Sequence, residues 1–113
     1  MDKIMTYRKL VQQILTNYAD WANGSKSPSA ELLCVFDEGH DLYLLLNAQW
    51  GQYRCIRGSQ IFIRLHDGKI WIEEDWSEEG IATELLNNGV SKEDIVLGFQ
   101  PPEMRKYSEF APA

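Results

Sequence analysis

The chain has 113 residues, of which 44% are hydrophobic, 12% aromatic and 25% charged. These values indicate one globular domain over residues 1–113, with a core that needs neither a disulfide nor a metal, and they argue against extensive disorder. The net charge of −6 argues against autonomous DNA binding, because proteins that bind a duplex alone usually present a basic face to the phosphates. The N-terminal sequence has no signal-peptide core and no apolar run approaches the ~20 residues of a membrane span, so we expect a cytoplasmic protein.

The first segment carries apolar residues at helical spacing, which predicts an amphipathic helix over about residues 2–22. Gly24 follows as a helix terminator, and the NGSKSPS sequence predicts a turn. The predicted apolar stripe consists of Ile4, Tyr7, Val11, Ile14, Tyr18 and Trp21, widened by Leu10 and Leu15.

Four strand patterns follow, at about residues 31–37, 41–49, 52–65 and 69–74. Short turns separate them, which predicts an antiparallel meander. Asp67 and Gly68 are typical of a type I′ hairpin turn, where both central residues have positive φ. The third strand is long and its alternation slips at Gly58, so we expect a bulge there.

The last third of the chain returns to helical periodicity. Ser77 is the predicted N-cap of a helix that ends before Gly89, and Ser91 with Asp94 predicts a second short helical turn with an imperfect capping box. The prolines at Pro101 and Pro102 predict an extended, non-helical exit. The predicted fold is therefore α+β: an N-terminal helix, a four-stranded antiparallel meander sheet and C-terminal helices.

Five acidic residues cluster between the fourth strand and the following helix. A two-metal carboxylate site of a metal-dependent nuclease is one interpretation. The simpler interpretation is a solvated helix N-terminus, where carboxylates face the positive end of the helix dipole, and we expect no metal or other cofactor. The cluster consists of Glu73, Glu74, Asp75, Glu78 and Glu79.

The cysteines and histidines suggest no catalytic site. Cys34 lies in the apolar run LLCVF and predicts a buried, unreactive strand thiol. Cys34 and Cys55 lack CxxC spacing and are expected to be reduced. His40 and His66 lie beside turns without partners at ligand spacing.

Basic residues on the third strand support an alternative function in direct DNA binding. Arg54, Arg57 and Arg64 follow the aromatic residues Trp50 and Tyr53, and such interleaving is found on nucleic-acid platforms. Strand alternation separates Arg57 from the other two arginines. The alternative is cross-strand ion pairing with Glu73 and Glu74.

Two segments are candidates for contact with a protein partner. Trp76 lies among acids at a strand-to-helix corner, where it is either an interface anchor or part of the core. The C-terminal segment joins prolines to a cation and aromatics, and it suits either docking on a partner or docking on its own sheet, which we favour. Its candidate residues are Pro101, Pro102, Arg105, Tyr107 and Phe110.

Three sequence blocks in this order resemble the cyanobacterial XisI family, the fdxN element excision controlling factor. The blocks are DGKIWI at residues 67–72, GIATELL at 80–86 and KEDIVLGF at 92–99, followed by Pro101–Pro102 and the final Arg, Tyr and Phe. One departure is Trp76, where the family pattern suggests a small residue.

The resemblance implies an accessory factor that controls excision of a DNA element by a site-specific recombinase. It further implies a partner, an XisH-like protein with an endonuclease-like fold. The family offers no catalytic motif that these residues match, so we expect no enzyme activity. The partner-contact candidates are the acidic cluster, Trp76 and the C-terminal segment, and a homodimer is possible.

Overall fold

The computed structural model describes residues 3–24, 30–50, 55–77 and 79–113, without the side chains of residues 30, 49, 50 and 55–57. A long helix comes first, four strands follow, and the C-terminal third adds two short helices around a fifth strand. The elements are α1 (Lys3–Asn23), β1 (Ala30–Asp37), β2 (Leu42–Trp50), β3 (Cys55–His66), β4 (Lys69–Asp75), α2 (Ile81–Asn87), β5 (Ile95–Leu97) and α3 (Pro102–Arg105).

The described strands form one sheet in the order β1-β2-β3-β4-β5. The first four are antiparallel neighbours, which confirms the predicted meander. The prediction of four strands was wrong by one, because β5 adds a short parallel strand beside β4, with Ile70 opposite Ile95. A three-residue strand is too short to show strand periodicity in the sequence.

Turn chemistry and bulges follow the sequence closely. Asp67 and Gly68 have φ of 53° and 75°, which confirms the predicted positive-φ hairpin turn. The predicted bulge in β3 lies at Gln60 rather than at Gly58, because the pairing steps from Leu45 opposite Ile61 to Leu46 opposite Ser59. A second irregularity leaves Glu73 without an opposite residue on β3.

The core lies between one face of the sheet and the helices. Val11 and Leu15 of α1, Ile63 of β3 and Ile72 of β4 are fully buried in one cluster that also includes Leu85 of α2. Burying each such side chain contributes on the order of 1.5–3 kcal/mol. The core therefore fixes both helices on the same sheet.

Two predictions about buried residues were wrong. Trp21 is 72% exposed, because the buried face of α1 continues from Leu15 through Ala19 and Ala22 instead. Cys34 is exposed as well, although partial burial of its thiol raises the pKa of Cys34 as predicted; its neighbours Leu33 and Val35 are 44% and 45% exposed. β1 is the terminal strand of the sheet order, so it pairs with described strands on one side only.

The C-terminal elements differ from the prediction at three points. α2 begins at Ile81 rather than after Ser77. Ser91 makes no capping hydrogen bond to the 3₁₀ turn Lys92–Asp94, so the expected capping box is wrong. Pro101 and Pro102 do not prevent a helix, because Pro102 occupies the first turn of α3, where its missing N–H costs nothing.

The end of α2 is as predicted. Gly89 has φ of 90° and donates to Leu86 O, while Val90 N donates to Leu85 O. These two bonds form a Schellman motif, which satisfies the last carbonyls of the helix. The chain then turns directly into the segment that leads to β5.

Polar contacts hold the N-terminal half of α1 to the rest of the fold. Tyr7 donates to Asp94 Oδ2 over 2.5 Å, and burial together with this bond raises the pKa of Tyr7 to about 12. Arg8 donates to Asp41 through Nε at 2.9 Å and Nη2 at 3.2 Å, and this hydrogen bonding lowers the pKa of Asp41. Tyr43, which is buried, also donates to Asp41.

Candidate interaction surfaces

The acidic cluster at the end of β4 is largely engaged in structural hydrogen bonds. Glu73 Oε2 accepts from Arg64 Nε over 2.5 Å, which confirms the cross-strand ion pair. Asp75 Oδ2 accepts from Ile81 N at 2.7 Å, and Oδ1 accepts from the backbone N and the hydroxyl of Ser77. Asp75 therefore satisfies the N-terminus of α2, which is the role that the sequence assigned to Ser77.

The rest of the cluster points outward. Trp76 is 70% exposed, and its indole N–H donates to Glu74 Oε2 at 2.9 Å. Glu79 is exposed, and Glu78 lies outside the described residues. Trp76 is therefore a surface residue and not part of the core.

The described residues contain no group of three or more His, Cys, Asp or Glu side chains arranged to hold a metal ion. This is consistent with the structural bonds of Glu73 and Asp75. The two histidines lie at turns, where His40 Nδ1 is 2.8 Å from Asp37 Oδ2 and His66 Nε2 is 3.3 Å from Asp67 Oδ2. The hydrogen bond to His40 lowers the pKa of Asp37.

Of the three arginines proposed for direct DNA binding, the structure describes the side chain of one, Arg64. Arg64 pairs with Glu73, and its guanidinium lies 5.0 Å from the centre of the Trp71 ring. Arg54 lies outside the described residues, and the side chain of Arg57 is not described. The one strand arginine whose side chain is described is thus engaged within the molecule.

The C-terminal segment docks on the sheet. Arg105 lies 5.3 Å from the centre of the Trp71 ring and donates to the carbonyls of Leu97, Gly98 and Gln100. Trp71 is therefore in contact with two guanidinium groups, from Arg64 and Arg105. Arg105 therefore binds the carbonyls of the loop after β5 and also contacts Trp71 of the neighbouring strand β4, which holds this loop against the sheet.

The docking continues to the end of the segment. Phe110 packs against the core, and Ala111 N donates to Ile95 O at 2.8 Å. Tyr107 remains 75% exposed. Pro101 and Pro102 are also exposed. Self-docking thus accounts for Arg105 and Phe110, whereas Tyr107 faces outward.

A groove of about 1190 Å³ opens between α1, the sheet and the start of α2. The α1 side of the groove combines apolar and polar residues, and the sheet contributes two amides. The α1 residues are Leu10, Gln13, Ile14, Asn17 and Tyr18, and the amides are Asn47 and Gln60. Asn47 donates to Gln60 at 3.1 Å, and Gln60 donates to Trp76 O at 3.3 Å. These hydrogen bonds of the side-chain amides connect β2 and β3 to the corner between β4 and α2. They also hold a polar patch in a fixed position on the groove wall.

Two tryptophans and three carboxylates also line the groove. Trp21 belongs to the C-terminal end of α1, and Trp76 lies just beyond β4. The carboxylates are those of Glu31, Glu79 and Glu84, and the described lining contains no Lys or Arg. The groove is therefore both aromatic and acidic.

Sequence reasoning missed this groove because it placed Trp21 in the core. A signal was present in the spacing of Val11, Leu15, Ala19 and Ala22, which continues one buried face in steps of four and three. That face leaves Trp21 beside it. The two small alanines on that face would have predicted an exposed Trp21 beside them. However, Trp21 also fits the apolar stripe through Ile14 and Tyr18, which the sequence analysis placed in the core.

Residues 1–112 of the chain match the sequence model of the XisI protein family. A XisI-like protein from Anabaena variabilis ATCC 29413 is 33% identical, with a TM-score of 0.87 over 96% of this chain and 98% of that one. The fdxN element excision controlling factor XisI from the same organism is 36% identical, with a TM-score of 0.86 over 99% of this chain and all of that one.

A comparison with curated proteins finds no match. No described helix is long and apolar enough to span a membrane. The family match covers nearly the whole chain, and both solved structures superpose over almost all of it at more than 30% identity. The chain therefore belongs to the XisI family.

Proposed function

We propose that this protein is a non-enzymatic accessory factor that controls excision of a DNA element in the cytosol. The observation that carries the proposal is the 36% identity to the fdxN element excision controlling factor over 99% of the chain. The factor acts through protein partners, which we propose to be an XisH-like protein and the site-specific recombinase.

The charges of the described surface support protein contacts rather than direct DNA contacts. Arg8 and Arg64 each pair with a partly buried carboxylate, and Arg105 is bound to three carbonyls. A cation already paired within the fold gains little from a phosphate, because the internal pair must break first. With a net charge of −6, long-range attraction favours a basic protein surface over a nucleic acid.

The experiment is co-expression with an XisH-like protein, followed by affinity capture and size-exclusion chromatography. The proposal predicts a complex that elutes as one species, and an excision reporter that responds to this protein only when the partner and recombinase are present. Elution as separate species would contradict the partner proposal. Elution of the protein alone at twice its mass would establish a homodimer.

Two other functions are outcomes of the same series. A duplex mobility shift weakened by Arg54→Ala and Arg57→Ala, without any partner, would replace the proposal with direct DNA binding. Magnesium-dependent cleavage of DNA that is lost in Glu79→Gln would replace it with a nuclease. The proposal predicts neither a shift nor cleavage by the isolated protein.

A further inference from the structure

We infer that the groove between α1 and α2 binds a basic, arginine- or lysine-bearing peptide segment of a protein partner. This inference rests on the proposed function, because it names the chemistry of the partner and the place where it docks. The observations that carry it are the groove's shape, its charge and its two exposed tryptophans.

The shape suits a peptide chain. At about 1190 Å³ the groove exceeds the ~300–1,000 Å³ of most small-molecule pockets, and it lies open between two helices and the sheet. Its wall from α1 has apolar Leu10 and Ile14 beside polar Gln13 and Asn17, and its sheet side presents two further amides, Asn47 and Gln60. Amide groups beside an apolar wall match the alternating polar backbone and side chains of a peptide.

The charge selects a cationic peptide. Glu31, Glu79 and Glu84 line the groove, each is exposed, and no described cation accompanies them there. Asp41, Glu73 and Asp94 each pair with a basic residue of the fold, whereas the three carboxylates of the groove have no described basic partner. The groove is thus a place where carboxylates meet no described counter-charge, and a basic segment supplies it.

The tryptophans supply the anchors. Trp71 shows how this fold covers an indole, since the guanidinium groups of Arg64 and Arg105 lie against its ring. Trp21 and Trp76 are 72% and 70% exposed, and no described cation contacts either ring. Arginine side chains of a bound segment would cover these two rings as Arg64 and Arg105 cover Trp71.

Binding is measured first with the full-length protein and a labelled twelve-residue peptide of alternating Arg and Leu, by fluorescence anisotropy. Peptides with Glu or Gln in place of Arg test the charge. We expect the Arg peptide to bind, and the other two to bind at least about tenfold more weakly. Equal binding of the Gln peptide would overturn the charge argument.

Variants then locate the site. The double variant Trp21→Ala/Trp76→Ala should weaken the Arg peptide at least about tenfold, and Glu79→Gln/Glu84→Gln about three- to tenfold. Matched controls outside the groove, Phe99→Ala and Glu38→Gln/Glu103→Gln, should leave its affinity unchanged, because these side chains are exposed and do not line the groove. An equal loss in the groove and control carboxylate variants would mean attraction to net charge alone and would overturn the assigned site.

The same variants separate this inference from the proposed function. If the XisH-like protein co-purifies with the wild type and equally with both groove variants, the partner role stands and the groove inference fails. If the XisH-like protein does not co-purify but the Arg peptide binds at the groove, the proposed partner fails and the groove inference stands. A labelled single-stranded DNA or a second copy of the chain that binds at the groove in place of the Arg peptide would overturn the inference.

Discussion

The two ends of β4 carry the same kind of side chain in opposite environments. Near its start, Trp71 contacts two guanidinium groups and donates its indole N–H to His66 O at 3.3 Å. Just beyond its end, Trp76 is 70% exposed at the groove. Arg105 of the C-terminal segment covers the Trp71 ring, whereas no described cation covers the Trp76 ring.

The uncovered end is nevertheless well ordered by its own hydrogen bonds. Asp75 accepts from Ile81 N and from Ser77, and Gln60 donates to Trp76 O. The corner between β4 and α2 is therefore held in place without any partner. A preformed site of this kind binds with a smaller entropic cost than one that must first become ordered.

Arg105→Ala should have the largest effect, because it removes the closure of the Trp71 end. Three carbonyls lose a charged donor and the ring loses one of its two cations, so we expect a loss of about 2–4 kcal/mol in the free energy of unfolding. Urea denaturation measures it. Arg105→Lys should recover part of the loss, since an ammonium cannot reproduce the planar fork.

The matched control is Lys106→Ala. Lys106 is exposed and lies 5.2 Å from the centre of the Tyr107 ring, which is itself exposed. We expect its loss to change the unfolding free energy by less than about 0.5 kcal/mol. Equal effects of the two substitutions would show that docking of the C-terminal segment does not depend on the Trp71 contact.

The difference between the two ends was only partly predictable from sequence. The meander, the turn at Asp67–Gly68 and the helix end at Gly89 follow from local backbone requirements, which a sequence displays directly. The covering of Trp71 by Arg105 joins residues 34 positions apart, and no local pattern encodes it. β5 was missed for a similar reason, because three residues acquire strand geometry only by pairing with β4.

The site residues divide in the same way. The pairing of Arg64 with Glu73 was predictable as one of two alternatives, since adjacent antiparallel strands bring opposite charges together. The capping of α2 by Asp75 was not, because the carboxylate reaches a backbone N–H six positions later, beyond the usual capping distance. The exposure of Trp21 was not predictable either, because α1 has two apolar stripes, one through Trp21 and one through Ala22, and only the structure shows that the second packs on the sheet.

Asp75→Ala tests whether the groove end is preformed. Three hydrogen bonds to the carboxylate disappear and the Ile81 N–H loses its acceptor, so we expect about 1–2 kcal/mol of destabilisation by thermal or urea unfolding. Glu79→Ala is the control at the same corner and should change stability by less than about 0.5 kcal/mol. A neutral Asp75→Ala would show that another group orders the start of α2.

Tyr7→Phe concerns the hydroxyl that joins α1 to the segment before β5. Its loss should cost about 1 kcal/mol at neutral pH. The pKa of Tyr7 is raised to about 12, so its contribution is complete below its usual pKa of 10 and is lost as pH rises from 10 towards 12.

Wild-type stability should therefore fall over that alkaline interval, and Tyr7→Phe should show a smaller fall. Tyr43, whose pKa is also raised to about 12, accounts for the remainder, and Tyr43→Phe should remove that second part. Stability measured by urea denaturation at several pH values checks this. A fall of unchanged size in both variants would assign it to other groups.

The smallest effect on stability is expected from the double variant Trp21→Ala/Trp76→Ala, and this is the sharpest test of the comparison. Both residues are about 70% exposed, so only about a third of each side chain loses burial, and the double substitution should change the unfolding free energy by no more than about 1 kcal/mol. The proposal nevertheless expects this variant to lose partner binding, while Arg105→Ala loses stability. If Trp21→Ala/Trp76→Ala instead destabilises the fold as strongly as Arg105→Ala, the two tryptophans support the fold and the contrast between the ends of β4 does not hold.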